Sequence, residues 1–255
     1  HEHYFFPKQY NPHMGEMPVT YFGFDPSVSQ EEVKARLRDY TRRDIHITEL
    51  SRAFRLELDT GWYTPAGVLH APGSLCTYEP QWNSDVMAMW ENVVNGEVFG
   101  HESLAGYIPE EEQDNLDVIF DVADWELSTA TDYRERFFRR PMLEQEGEGF
   151  AQSWICYGNA YVAAKSLTVP PGREAVIADS AAYGCVVVQG HGSFGVFGCE
   201  SPTYLRYGQL SADEFFVSRD AAAKGVKVVN GSRYEPLVIL KHFGPDCGIP
   251  QVEAM

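Results

Sequence analysis

The chain has 255 residues and a mass of 28.7 kDa, enough for one large domain or two small ones with a genuine core. Hydrophobic residues make up 44% and charged residues 22%, which excludes a disordered chain and a fibrous repeat. A formal charge of −17 repels phosphate backbones and anionic lipid headgroups, so nucleic acid and membranes are excluded as partners.

No run approaches the ~18 apolar residues of a membrane span, and the stretch beginning His1-Glu2-His3 lacks a basic region followed by an apolar one. Cys76, Cys156, Cys185, Cys199 and Cys247 are widely spaced, odd in number and without a C-x-x-C pair. They read as buried free thiols of a reducing compartment, and a cytoplasmic protein is expected.

Along the chain, Ser29 and Glu32 form a capping box, with Val33, Leu37 and Tyr40 on one helical face. Residues 53–58 alternate with period two, and Pro65-Ala66-Gly67 makes a turn between strands at 61–64 and 68–71. Residues 74–80 and 85–91 read as further strands. A second helix is predicted from Pro109, as its first residue, to about Asp124, burying Leu116, Ile119, Phe120 and Ala123. Residues 109–126 hold eight Asp/Glu and no Lys or Arg, the pattern of a solvated face. From Arg139 to Gln152 the chain turns Pro-, Gly- and Glu-rich, which reads as an inter-domain connection. Strands are then expected at 153–158, 161–169, 173–179, 183–189, 193–197 and 203–210, with Gln189-Gly190-His191-Gly192 as a hairpin turn, and more strands follow to 243. This is an all-β pattern of two barrels or sandwiches, with boundaries at 1–100, 101–150 (helical insert and linker) and 151–255.

On an extended strand, His1-x-His3 places two imidazoles on one face, a geometry that allows two ligands to one metal ion. Glu16 and His70 are the further donors nearby. The stretch from Gly61 through Thr64-Pro65-Ala66-Gly67-Val68-Leu69-His70, continuing in Tyr78-Glu79-Pro80-Gln81-Trp82-Asn83-Ser84-Asp85, resembles the signature of type I phosphomannose isomerases of the cupin superfamily. There a Pro-Ala-Gly turn delivers a metal-binding His and an E-x-Q-x-x-S-D strand follows. The segment Pro18–Asp25 and the helix after it match the same family. The resemblance covers residues 1–92 well and residues 154–243 only as a second cupin barrel.

The resemblance implies an all-β fold of two jelly-roll cupin barrels with a few short helices. It also implies one divalent metal ion in the first barrel, held by His1, His3, Glu16 and His70, with His13 as a neighbour or substitute. Three imidazoles and a carboxylate suit Zn²⁺ first, and accept Fe²⁺, Mn²⁺, Co²⁺ or Ni²⁺. Glu79 is the expected proton-transfer residue, with Gln81, Asp85 and Trp62 on the substrate. The aromatics Tyr4, Phe5, Phe6, Trp62 and Trp82 fit a sugar-stacking wall or barrel core. His191 and His242 read as structural, and the second barrel as metal-free.

Two departures bear on the substrate. The family's active-site Arg is replaced by Met89, and its Lys before the metal-binding Glu falls at Met14-Gly15. A phosphosugar needs such cations, so the expected partner is an unphosphorylated small carbohydrate. The expected chemistry is aldose–ketose isomerisation or epimerisation through an enediolate. An Fe-dependent cupin dioxygenase and a non-catalytic sugar-binding module with a structural metal are the alternatives, and a homodimer is compatible with either.

Overall fold

The computed structural model of the protein describes residues 1–13, 18–83 and 87–252. In the N-terminal half, strand β1 (Glu2–Phe5), β4 (Gly61–Thr64) and β8 (Phe138–Arg139) form an antiparallel sheet in the order β1-β4-β8. A second sheet runs β3 (Ser51–Arg55), β2 (Val19–Phe24), β5 (His70–Ala71). Tyr4, Phe22, Trp62 and Tyr133 are buried together, with Phe22 and Trp62 ring centroids 5.0 Å apart. An aromatic core of this kind lets short strands bury enough apolar area to hold a register.

The capping box forms as read. Helix α1 spans Gln30–Leu37, and the Glu32 amide donates to Ser29 Oγ at 3.2 Å. Residues 74–80 and 87–91 contain no strand; isolated bridges join Tyr78 to Phe5 and the neighbouring Gln81 to Glu2. A small hairpin follows instead, β6 (Val93–Val94) and β7 (Glu97–Val98), turned by Asn95-Gly96 with both residues at positive φ. Helix α2 (His101–Ala105) comes next.

The acidic helix is broken. Residues Glu110–Glu112 make one 3₁₀ turn, Pro109 stands outside it, and α3 (Leu116–Phe120) starts afresh after Asn115, whose side chain accepts from the Asp117 amide. Like charges at helical spacing repel, and Asp114-Asn115 competes for the backbone amides. Ile119 and Phe120 are nevertheless buried against α1. Helices α4 (Trp125–Ser128) and α5 (Tyr133–Phe137) complete this half.

Asn92 ties the loop after α1 to this core. Its amide donates to the carbonyls of Tyr40 and Arg43, and its Oδ1 accepts from the Ile45 amide at 3.1 Å. Asn92→Ala strands three main-chain groups, two of them in buried bonds, so a loss of about 2–3 kcal/mol is expected in urea unfolding. An unchanged midpoint would refute the assignment.

The connection expected over 139–152 narrows to Arg140-Pro141. Arg139 already belongs to β8, and β9 (Met142–Gly147) opens the C-terminal sheet by pairing with β10 (Phe150–Cys156). This sheet continues with β11 (Ala163–Val169), β12 (Glu174–Ile177), β13 (Tyr183–Phe194), β14 (Phe197–Ser201) and β15 (Glu214–Val217). Helix α6 (Arg219–Lys224), β16 (Val226–Asn230) and β17 (Leu237–Phe243) close it. The spatial order is β12-β16-β13-β17-β11-β10-β9, with β14 and β15 also on β13.

Residues 189–192 are not a turn. They lie inside β13, where the chain leaves β17 and crosses to β14 and β16. Glycine is needed at this corner: Gly190 has φ +86°, and a Cβ on Gly192 would lie 1.9 Å from the Val229 carbonyl oxygen. The hairpin turn falls at Gly195-Val196. Residues 203–210 form no strand.

Inside the C-terminal barrel, Lys241 donates to Asp179 and to Gln152 (2.8 Å), and Lys165 donates to Asp179 (2.9 Å) and Glu144 (2.6 Å). All five cysteines are free; Cys76 is exposed and the other four are buried. Among the described residues no helix is long and apolar enough to cross a membrane.

Candidate functional site

The register of β1 sorts the expected site residues onto two faces. Glu2 lies opposite Gln81 and Phe5 opposite Tyr78, so Glu2, Tyr4, Glu79 and Gln81 share one face while His1, His3 and Phe5 share the other.

His1 and His3 therefore sit together, as the H-x-H spacing requires, against the second barrel. The His1 ring stacks on Tyr161 with centroids 4.0 Å apart, and its Nδ1 lies 2.8 Å from the Tyr63 hydroxyl. His3 is fully buried. Asn159 donates to its Nε2 at 2.7 Å, while Nδ1 has no well-formed hydrogen bond among the described residues. Burial, with the Arg139 charge nearby, depresses the His3 pKa to about 3, so the ring is neutral at working pH.

His70 lies on the opposite face. Its Nδ1 donates to the Val68 carbonyl at 2.7 Å and its Nε2 meets Glu2 Oε1, with the Tyr4 ring packed edge-on at 5.6 Å. The structure thus does not bring His70 together with His1 and His3. Glu16 and Asp85 lie outside the described residues. Among the described residues no group of three or more His, Cys, Asp or Glu side chains is arranged to hold a metal ion. The three described members of the expected ligand set are thus divided, His1 and His3 on one face of β1 and His70 on the other, and as placed they do not converge on one metal ion.

What the structure assembles is a proton-sharing trio. Glu2 is buried, Glu79 is hydrogen-bonded to it, and His70 closes the other side. Desolvation raises the Glu79 pKa, and the hydrogen bond and charge of Glu2 raise it further, to about 7. For Glu2, burial opposes ionisation, but the hydrogen bond and charge of His70 hold the carboxylate below its ordinary range. His70 is the mirror case: burial opposes its charge, and Glu2 raises its pKa above the ordinary value. Because the Val68 carbonyl can only accept, Nδ1 carries a proton, and a second proton is shared between Nε2 and Glu2.

The trio opens to solvent. Glu79 and Gln81 are exposed, and the His70 side chain is about 31% exposed. Trp62 is not at the surface; at 1% exposure it forms the floor of the aromatic core and offers no face to a sugar. Trp82, 42% exposed, leans on Tyr161 across the opposite face. The charges acting on Glu79 are those of Glu2 and His70, with no Lys or Arg among them. Lys241 of the second barrel is sealed against Asp179.

Glu2 escapes a sequence reading because it stands between two better-known ligand types. Asn159 and Tyr161 escape it because nothing local marks a loop 156 residues away as the cover of His3.

The architecture is the all-β cupin fold. Against solved structures, the chain superposes over 95% of its length on a candidate mannosephosphate isomerase from Archaeoglobus fulgidus, with a TM-score of 0.57 and 13% identity. The chain spans 60% of that protein. Oxalate decarboxylase from Bacillus subtilis aligns with 96% of this chain and 62% of its own at TM-score 0.42 and 14% identity. An RmlC-like cupin from Shewanella frigidimarina aligns with 41% of this chain and 84% of its own at TM-score 0.28 and 21% identity. No family profile matches the sequence, and no curated protein matches it.

Proposed function

We propose that the protein is an enzyme of small, unphosphorylated carbohydrates that moves a proton between adjacent carbons, as an aldose–ketose isomerase or epimerase. The observation that carries this reading is the Glu79 carboxyl at the open face, hydrogen-bonded to Glu2 beside His70, with a pKa raised to about 7 by partial desolvation and by Glu2. A carboxyl of that pKa is populated in both protonation states at neutral pH, the condition for taking a proton from the carbon beside a carbonyl and returning it to the neighbouring carbon. Glu2 stays ionised and keeps Glu79 basic. His70 holds Glu2 in place and keeps a positive charge next to the carboxyl pair, which limits the repulsion as negative charge develops on substrate oxygen. The charges that move the Glu79 pKa are those of Glu2 and His70, neither of them a phosphate-binding Lys or Arg, which supports a neutral substrate.

The test is solvent-hydrogen exchange. Purified protein is incubated in D₂O with free mannose, lyxose and fructose, and with mannose 6-phosphate. Deuterium incorporation at C1 or C2 of a free sugar is expected by NMR. Exchange confined to the phosphate would overturn the substrate assignment, and binding without exchange would leave a non-catalytic sugar module. Oxygen uptake during turnover would favour the dioxygenase alternative.

A further inference from the structure

We propose that the seam between the two halves holds a second, non-catalytic site for a neutral polyhydroxylated molecule of monosaccharide size. It lies behind β1, on the side of Phe5 and away from Glu2 and Glu79, and is independent of the carboxyl trio.

The site is a cleft of about 220 Å³ between the outer face of the C-terminal sheet and the loops carrying Lys8, Gln9 and Asp59. Register builds its floor in two rows. Thr168 pairs with Val238, which pairs with Gln189; Ser153 pairs with Ser166, which pairs with Leu240. Paired residues share a face, so one row reads Thr168, Val238, Gln189 and the next Ser153, Ser166, Leu240, four polar side chains beside two aliphatic ones across β10, β11, β17 and β13. Ser153, Ser166, Thr168 and Gln189 are half-buried, and none has a side-chain hydrogen-bond partner among the described residues. The same holds for Gln9 on the opposite wall.

Charge selects the ligand class. The cleft's one cation and one anion, Lys8 and Asp59, neutralise each other at 2.7 Å, so neither an anion nor a cation finds an unpaired partner. An apolar guest would leave five uncharged polar groups without partners. Three hydroxyls and two carboxamides over aliphatic ribs suit a molecule with hydroxyls on its edge and C–H groups on its face. At roughly 30 Å³ per water, the volume equals about seven waters, below the ~300–1,000 Å³ of drug-sized pockets.

The test is an amide NMR titration with mannitol, with cyclohexanol and inorganic phosphate as comparison probes. Saturable shifts are expected at Ser166, Thr168 and Gln189, and Thr168→Val should weaken that Kd about fivefold, the loss of one neutral hydrogen bond. Ser166→Ala, a milder change, should weaken it in the same direction and guards against a folding defect in the first variant. Shifts that do not saturate, that are matched by cyclohexanol or phosphate, or that survive both substitutions would overturn the proposal. Shifts confined to the surroundings of Glu79 would also overturn it while leaving the enzymatic reading intact. Seam shifts without sugar exchange would do the reverse.

Discussion

Replacing Glu79 with Gln is expected to lower the rate of solvent-hydrogen exchange into sugar by about 10²–10⁴-fold, the usual contribution of a positioned acid or base. The variant should fold normally, because Glu79 is exposed and contributes no core packing. In the parent protein kcat/KM should rise with pH through about 7, as the Glu79 base form accumulates. Glu2→Gln removes the neighbouring negative charge, so the acid limb should move to lower pH. It should not reach an ordinary carboxylate value, because desolvation, the larger cause, remains. An unshifted limb in Glu2→Gln would separate Glu2 from the chemistry. The stability linkage has its own sign. A carboxyl whose pKa is raised on folding from 4.5 to about 7 binds more protons in the native state, so its contribution is full at low pH and is lost as pH rises through 7.

The second large effect is on stability. Asp179 is fully buried between Lys165 and Lys241, with side-chain exposures of 4% and 0% for the two lysines. Burial opposes its ionisation, but the charge and hydrogen bond of Lys241, then those of Lys165, hold the carboxylate below its ordinary range. Asp179→Ala leaves the buried Lys241 ammonium with the neutral Gln152 as its remaining partner, while Lys165 keeps Glu144. A loss of about 3–5 kcal/mol is expected, because an uncompensated buried charge costs more than the pair contributes. In a chain of this size that corresponds to a Tm lowered by roughly 10 °C. Lys241→Met should cost less, since Lys165 still pairs the carboxylate. The triple replacement Lys165→Met/Asp179→Leu/Lys241→Met should recover most of the loss. The same ion pairs make the protein sensitive to acid: stability from Asp179 is present above pH 3.8 and is lost as pH falls through its lower folded value. Thermal melts of the three variants at pH 7 and pH 3 decide the matter, and an Asp179→Ala protein that melts like its parent would sink the argument.

The periodicity of the sequence is enough to predict an all-β chain, the Ser29–Glu32 helix start and most strands of the second half. Each depends on neighbours within a few residues: alternation, a cap, or a turn residue. His1 and His3 share a face for the same reason. What the sequence could not decide is which face of β1 meets His70, because that depends on β5 and the 78–81 segment arriving across the sheet from about 70 residues away. Tertiary pairing put Glu2 beside His70 and Glu79, and placed His3 under Asn159 of the other half. It also turned a predicted glycine hairpin at 189–192 into the bend of one long strand, since only the packed structure supplies the Val229 carbonyl that glycine lets approach. Local pattern fixes what kind of element a segment becomes; the partner across the sheet fixes which side chains meet, and chemistry resides in those meetings.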